Sequence, residues 1–334
     1  MAAHHPGNSI TGGGVVLDSV PPYSIVMKGI YHNMPGNDFY DLICIGNYTK
    51  DTIISPNGVK YVDGGAMNYA AHAASRLGLK VAVVTRLAKE DQRVVDRFNS
   101  QHIDCFVTYT PASTCMKLEY PTLNPDLRTL SVASTAGSIH AQDLASLYAK
   151  AAVIGSSLCG EVGLDVIQHL KEKNVFLGVD MQGFVRVLRA QKLEYEPWDD
   201  MAATLSYVDV LKSDAVEAEH LTGEADIFRA AQIFSLMGPK EVVLTHKDGV
   251  LLLSDGEFYQ AGFYPNNLNG RSGRGDTCIG SYMAMRKSLN PPAALIWAAA
   301  VTSLKMEKLG PFDRSIEDVT ALIQAKYNHH PSQA

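Results

Sequence analysis

The sequence predicts an α/β protein, a mainly parallel sheet with helices on both faces. Three observations predict it. Short apolar runs rich in β-branched residues recur from Asp41 onward, and segments with helical spacing lie between most of them. The chain of 334 residues is also 46% apolar, enough to bury a substantial core.

The strand-like runs are DLICIG (41–46), KVAVVT (80–85), AAVIGS (151–156), VFLGVD (175–180), VDVLK (208–212) and EVVLTH (241–246). Each is short and nearly continuous in apolar residues, as strands covered on both faces are. The spacing predicts helices over 67–77, 141–149, 161–173, 214–222 and 226–237, an alternation that favours parallel strands joined by helical crossovers. Residues 105–134 break the rhythm. They are rich in Thr, Val and Tyr, with Asn124-Pro125-Asp126 as a turn signal between two strand-like runs, so a β excursion such as a lid is expected there. After Asp276 the chain turns helical, and the 291–310 segment opens on Pro and closes on Gly, as helices prefer. Residues 1–38, rich in Gly, Pro, Asn and His, read as a flexible extension, and no repeat or linker divides 39–334.

Composition narrows the function. A net charge of −6, from 29 basic and 35 acidic side chains, supplies no basic field for nucleic acid, so small-molecule chemistry is favoured. The five cysteines are widely spaced with no C-x-x-C pair, which indicates neither a disulfide framework nor a zinc site and fits a reducing, cytoplasmic setting. No run approaches the ~20 apolar residues of a membrane span, and the start of the chain lacks a signal-peptide pattern. His4-His5 and His329-His330 are read as solvated tail residues.

The stretch with most chemical content is NGRSGRGDTCIG, residues 269–280. Gly270 and Gly275 have the G-x-x-x-x-G spacing of a P-loop and Thr277 stands where that motif has Ser or Thr, but Asp276 replaces its lysine. It also contains Arg274-Gly275-Asp276, the tripeptide of adhesion ligands; a secreted adhesion protein is the remote reading. A small-residue loop running into a helix offers free backbone N–H groups and the positive end of the macrodipole, which together attract an anion. A carboxylate there repels phosphate, yet is well placed to take a proton from a hydroxyl attacking a phosphoryl group. Asp276 as a plain N-cap is the alternative, and the spacing alone leaves both open.

SGRGDTCIGSY (272–282) resembles the C-terminal signature of the ribokinase/PfkB-type sugar kinases. Three further segments are similar to that family and occur in its order. IGNYTKD (45–51) places Asp51 where the family grips substrate hydroxyls, DGGAMNYAAHAASRLG (63–78) resembles its G-G-x-x-x-N-x-A segment, and KSDAVEAEHLTG (212–223) resembles its N-x-x-E segment with Asp214 in place of Asn. The resemblance implies a ribokinase-like doubly wound sheet with a small β lid including about 105–134, a single kinase domain over 39–334. It implies an ATP-dependent kinase of a sugar, cyclic polyol or nucleoside, using Mg²⁺ and admitting a monovalent cation, with a possible homodimer through the lid and no nucleic-acid or membrane partner.

Residue by residue, the resemblance makes Asp276 the catalytic base and the amides of Gly273, Arg274 and Gly275 the anion hole. Asp51, Gly64, Gly65 and Asn68 would hold the acceptor, while Glu217 with Asp214 would organise Mg²⁺ through water. Taken singly, the paired glycines read equally as a turn, Asn68 as an N-cap and Glu217 as an exposed helix carboxylate. Two departures stand out. Arg274 occupies a position where the family has a small residue, and Gly270 stands where an acidic one is usual. Arg271 and Arg274 thus add cations able to clamp a phosphate. The nucleotide strand of the family reads T-x-G-x-x-G, whereas LTHKDGV (244–250) is one residue shorter; Thr245 and Gly249 remain its candidates to line the nucleotide. In VDMQGFVR (179–186), Asp180 and Gln182 end a strand where open α/β folds place ligands, and Arg186 is a candidate to reach the phosphates. This run resembles the D-x-Q-G-x-x-R segment of a branch of these kinases that includes plant-type inositol kinases, which tilts the acceptor towards a polyol; a nucleoside kinase and a catalytically idle sugar- or nucleotide-binding regulator are the rivals.

Overall fold

A computed structural model describes residues 39–122 and 129–327, all within one compact unit, Gly36–Ala334. The expected extension over 1–38, the 124–126 turn and both His pairs lie outside the described residues. Two sheets are present among the described residues. Strands are numbered in chain order through both. The larger sheet holds β1 (Phe39–Ile45), β4 (Val81–Ala88), β5 (Ile103–Thr110), β8 (Tyr148–Gly155), β9 (Phe176–Asp180), β12 (Val210–Asp214), β13 (Glu241–Thr245), β14 (Gly249–Ser254) and β15 (Glu257–Gly262). The smaller holds β2 (Thr49–Ser55), β3 (Gly58–Gly64), β6 (Thr114–Glu119), β7 (Thr129–Ser134), β10 (Arg186–Arg189) and β11 (Lys192–Tyr195).

The larger sheet runs β15-β14-β13-β12-β9-β8-β1-β4-β5. It is parallel from β13 to β5, with β14 and β15 added antiparallel at one edge. The chain winds outward from β1 first through β4 and β5, then the other way through β8, β9 and β12. That reversal makes β1 and β8 the switch point, and the crevice beyond their carboxyl ends is where such sheets take ligands.

The helices are α1 (Ala66–Arg76), α2 (Gln92–Ser100), α3 (Leu164–Glu172), α4 (Gln182–Val185), α5 (Met201–Leu205), α6 (Ala215–Thr222), α7 (Ile227–Leu236), α8 (Arg274–Met285), α9 (Pro291–Met306) and α10 (Ile316–Lys326). Side-chain alternation in β1 shows why both sheet faces are covered. Ile43 and Ile45 enter one core with Ile154, Val166, Leu170 and Phe234. Leu42 and Cys44 enter the opposite core with Met67, Ala70, Ile279, Tyr282 and Leu295. In that second layer α8 lies very close to α1: a Cβ on Gly280 would stand 2.5 Å from Ala70 Cα. Glycine and alanine at this crossing hold the start of α8 over the sheet's carboxyl edge.

Two expectations are corrected. The predicted helix over 141–149 is one 3₁₀ turn, Ala141–Leu144, followed by β8. Only its last two residues reach β8, where parallel pairing with β1, Phe39 opposite Tyr148 and Tyr40 opposite Ala149, makes them strand. Within 105–134, the first run does not belong to the lid. It extends β5 along the full length of β4, Val83 opposite Cys105 through Ala88 opposite Thr110. The smaller sheet, in the order β10-β11-β7-β6-β2-β3, instead recruits two hairpins from elsewhere in the chain. Its own small core is Met116, Leu118, Val132 and Leu158. Asp63 at the end of β3 ties it to the body: its carboxylate accepts from Arg93 and Arg97 of α2, both ion pairs within 2.8 Å, and from Tyr48 Oη at 2.5 Å.

Candidate active site

The residues singled out in the sequence converge at the carboxyl edge of the larger sheet. Asp276 lies in the first turn of α8, whose N-cap Gly273 has φ 77° and offers no capping side chain. Only glycine adopts that left-handed conformation at no steric cost, and any Cβ there would also run into the Tyr69 ring. The first-turn amides have no acceptor within the helix. That of Arg274 is directed to Arg271 O at 3.3 Å, so among the expected donors the Gly275 amide stands at the open end of α8, and the Asp276 amide joins it. Burial pushes the Asp276 carboxyl up to about 6, the charge of Asp180 adds to the push, and Lys212, Arg186 and Lys305 oppose it.

Lys212 is a buried cation among these residues that motif reading passed over. It ends no motif position, yet it is 3% exposed and its Nζ pairs with Asp180 Oδ2 at 2.8 Å. The two residues are register partners on neighbouring strands, β12 and β9. The same Nζ lies against Gly275, where a Cβ would collide with it, which explains the second glycine of the loop. Burial alone would lower the lysine's pKa; Asp180, Glu217, Asp214 and Asp276 together raise it above the ordinary value, so it is a fixed cation. The signal in the sequence is a lysine directly after the apolar run Val210-Leu211, in the middle of β12.

On the acceptor side, Asp51 comes from lid strand β2 and Gly64 from the strand paired with it. A side chain on Gly64 would strike Asp51 Oδ2 and Thr49 Oγ1, and Gly65, at φ 95°, passes close to Asn47 O. The glycine pair lets lid and body approach. Burial pushes Asp51 up to about 6, with the charges of Asp276 and Asp63 adding to the effect, so the carboxylates of lid and body act on one another. Asn68 is fully buried; its Nδ2 donates to Asp63 O at 3.0 Å while its Oδ1 has no partner. Asn47 Oδ1, Asp51 Oδ1 and Tyr69 Oη are likewise buried without partners. Four unpaired polar atoms around two carboxylates are costly unless a ligand bearing hydroxyls satisfies them.

On the donor side, Asp214 and Glu217 cap α6 reciprocally: Glu217 N donates to Asp214 Oδ1 at 2.8 Å, and Asp214 N to Glu217 Oε2 at 3.1 Å. Glu217 is fully buried, which removes the reading of an exposed helix carboxylate. Burial and Asp214 push it up to about 7 against the pull of Lys212 and Arg186. Arg186 reaches Glu217 Oε1 at 3.4 Å and leaves its Nε buried without a partner. Thr245 is buried at the end of β13 and donates to Ser213 O at 3.4 Å. Gly249 opens β14 opposite Gly262, and a Cβ there would lie 2.5 Å from Ala261 O; the glycine is explained by strand pairing. Arg274 stacks towards Phe263, its Cζ 6.0 Å from the ring centre, and its charge helps lower the pKa of His246, after burial. It therefore lies over the turn that follows β13. Among the described residues no three His, Cys, Asp or Glu side chains converge as a metal cage. The set suits a Mg²⁺ carried on donor phosphates with Glu217 touching it through water, since both Glu217 oxygens already have protein partners.

Comparison with known proteins agrees with this geometry. Residues 35–317 match the family model of pfkB family carbohydrate kinases, and the chain belongs to that family. A cytidine kinase of Thermococcus kodakarensis is 27% identical over 255 residues, 73% of this chain and 87% of the relative. A pyrophosphate-dependent kinase in the ribokinase family, solved with a pyrophosphate analog and myo-inositol, is 34% identical with a TM-score of 0.78, covering 84% of this chain and 99% of its own. Arabidopsis thaliana ribokinase, solved with ribose and ATP, shares the fold at 16% identity and a TM-score of 0.70, covering 85% and 99%. The chain is thus a kinase of the ribokinase type. None of its described helices is long and apolar enough to cross a membrane.

Proposed function

We propose that this kinase phosphorylates a hydroxyl of a cyclic polyol, with inorganic pyrophosphate as its donor. The observation that carries the reading is Asp276, half-buried at the amino end of α8 with the charge of Asp180 close by and its protonation range pushed up to about 6. A carboxylate with that basicity, next to helix-end amides, is suited to take the acceptor proton as transfer occurs. The acceptor oxygen would bond to phosphorus as the bridging P–O bond of the donor breaks, the proton passing to Asp276 and the leaving group departing as orthophosphate. Lys212 and Arg186 would offset the negative charge, and Mg²⁺, when bound, would shield the donor oxygens. Asp51, Asn68 and Asn47 would hold the other hydroxyls through their unpartnered oxygens.

Three things support pyrophosphate over the ATP that the family resemblance implies. The neighbour solved with a pyrophosphate analog and myo-inositol is 34% identical. The connection after β13 is tight, His246 N donating to Gly249 O at 2.9 Å, and Gly249 is committed to the hairpin. Arg274 stands over that same turn and adds a cation where inorganic phosphates need one. The similarity to a cytidine kinase favours a nucleoside acceptor as the second reading.

The test crosses pyrophosphate and ATP against inositols, sugars and nucleosides, reading phosphate or ADP release and identifying the product. Turnover with pyrophosphate and a cyclic polyol is expected. Preference for ATP would overturn the donor, and preference for cytidine the acceptor. A folded protein that binds a polyol and transfers nothing from either donor would be the idle regulator instead.

A further inference from the structure

Lys305, in the last turn of α9, is 2% exposed. Its Nζ donates to Gly270 O at 2.6 Å and to Ser272 O, and stands 5.1 Å over the face of the Tyr69 ring. Those carbonyls flank Arg271 in the loop that delivers Gly273 and the start of α8. The same loop is fastened to the end of α9, Gly270 N donating to Met306 O at 2.8 Å, and a Cβ on Gly270 would collide with Lys308 O. A glycine is therefore required where the family has an acidic side chain. Carbonyl oxygens gathered at the negative end of a helix are a setting for a cation. Here the chain fills it with its own ammonium.

From this we infer that Lys305 is a positioning residue that does internally what a bound monovalent cation would do. It holds the Gly270 and Ser272 carbonyls on one side, so that the helix-end amides would face the donor phosphate. Burial brings its pKa down to about 8 and the charge of Asp276 opposes that, so the ammonium form prevails at neutral pH. Phosphoryl transfer by this chain is then independent of K⁺, Na⁺ and NH₄⁺, although the family resemblance admits such an ion. A lysine that merely packs would leave no trace in the salt dependence.

The inference rests on the kinase reading, but its test has a readout without turnover. The wild-type protein and Lys305→Ala are compared in potassium, ammonium or tetramethylammonium chloride at equal ionic strength. Initial rates are read first, then calorimetric binding of inorganic pyrophosphate. The wild type is expected to be indifferent to the cation in both. Lys305→Ala should lose about 10²-fold in rate in tetramethylammonium, comparable to losing one anion-hole donor, and regain at least ~10-fold, saturably, with K⁺ or NH₄⁺. Activation of the wild type by K⁺ overturns the inference even where the variant fails to fold. So does a folded Lys305→Ala, judged by its thermal transition, that neither K⁺ nor NH₄⁺ rescues. A wild type with no transfer from any donor sinks the kinase reading alone, and cation-independent pyrophosphate binding, lost in Lys305→Ala and restored by K⁺, would still support the role of Lys305.

Discussion

Asp276 and Asp51 are two carboxylates pushed to the same range, about 6, by opposite surroundings. Asp276 sits on the rigid body, at the start of a helix packed into the core, with Lys212, Arg186 and Lys305 behind it. Asp51 sits on a lid strand, where its influences are burial, the Thr49 hydroxyl and two further carboxylates. Cations offset part of the burial cost at Asp276, whereas at Asp51 only the Thr49 hydroxyl does so, and a hydroxyl-bearing acceptor would offset more of it. On the proposed reading, the difference suits Asp276 to chemistry and Asp51 to recognition.

The largest expected effect tests the body side. Asp276→Asn should lower kcat by at least ~10²-fold while leaving acceptor binding, measured calorimetrically, nearly intact. If Asp51→Asn cost as much in kcat, the division between the two would be wrong. Next, Lys212→Met leaves Asp180 buried without its partner, so it should destabilise the fold by about 3–5 kcal/mol in denaturant titration, as well as slowing transfer.

The pH profile separates the pair further. Asp276 acts as base only when ionised, so kcat/KM should be flat above about pH 6 and fall about tenfold per unit below it. Asp276→Glu should shift that limb, while Asp51→Asn should move it only slightly and to lower pH, since the two carboxylates act on one another. The smallest effect concerns stability. The folded-state pKa of Asp51 lies above its ordinary 3.8, so holding it ionised costs stability once the pH exceeds both values and costs nothing below the unfolded one. Asp51→Asn should therefore stabilise the unliganded protein by about 1–3 kcal/mol near pH 7.5, with the gain vanishing near pH 4. Thermal melts at the two pH values check it; equal gains at both would mean the charge is not the cause.

How much of this was legible depended on how local each signal was. Buried parallel strands announce themselves as short apolar runs, and the glycine-rich entry to α8 marks itself by composition, so β1, β4, β9, β12, β13 and Asp276 could be read directly. The stretch 141–149 has helical spacing but forms one 3₁₀ turn and then enters β8, because pairing with β1 draws Tyr148 and Ala149 into the sheet. The lid was underestimated because β2, β3, β10 and β11 lie in hairpins whose role depends on strands distant in sequence.

By itself, then, the sequence determined the α/β class and the order of the four family segments, and it supplied the candidate carboxylates, since each segment is read from residues within one turn or strand of each other. Only the tertiary structure decided which cations stand behind them. Lys212 meets Asp180 because β12 is hydrogen-bonded beside β9. Lys305 meets Gly270 and Ser272 because α9 returns to the loop before α8. Electrostatic partnership acts through space across a few ångströms, and chain distance carries no record of it.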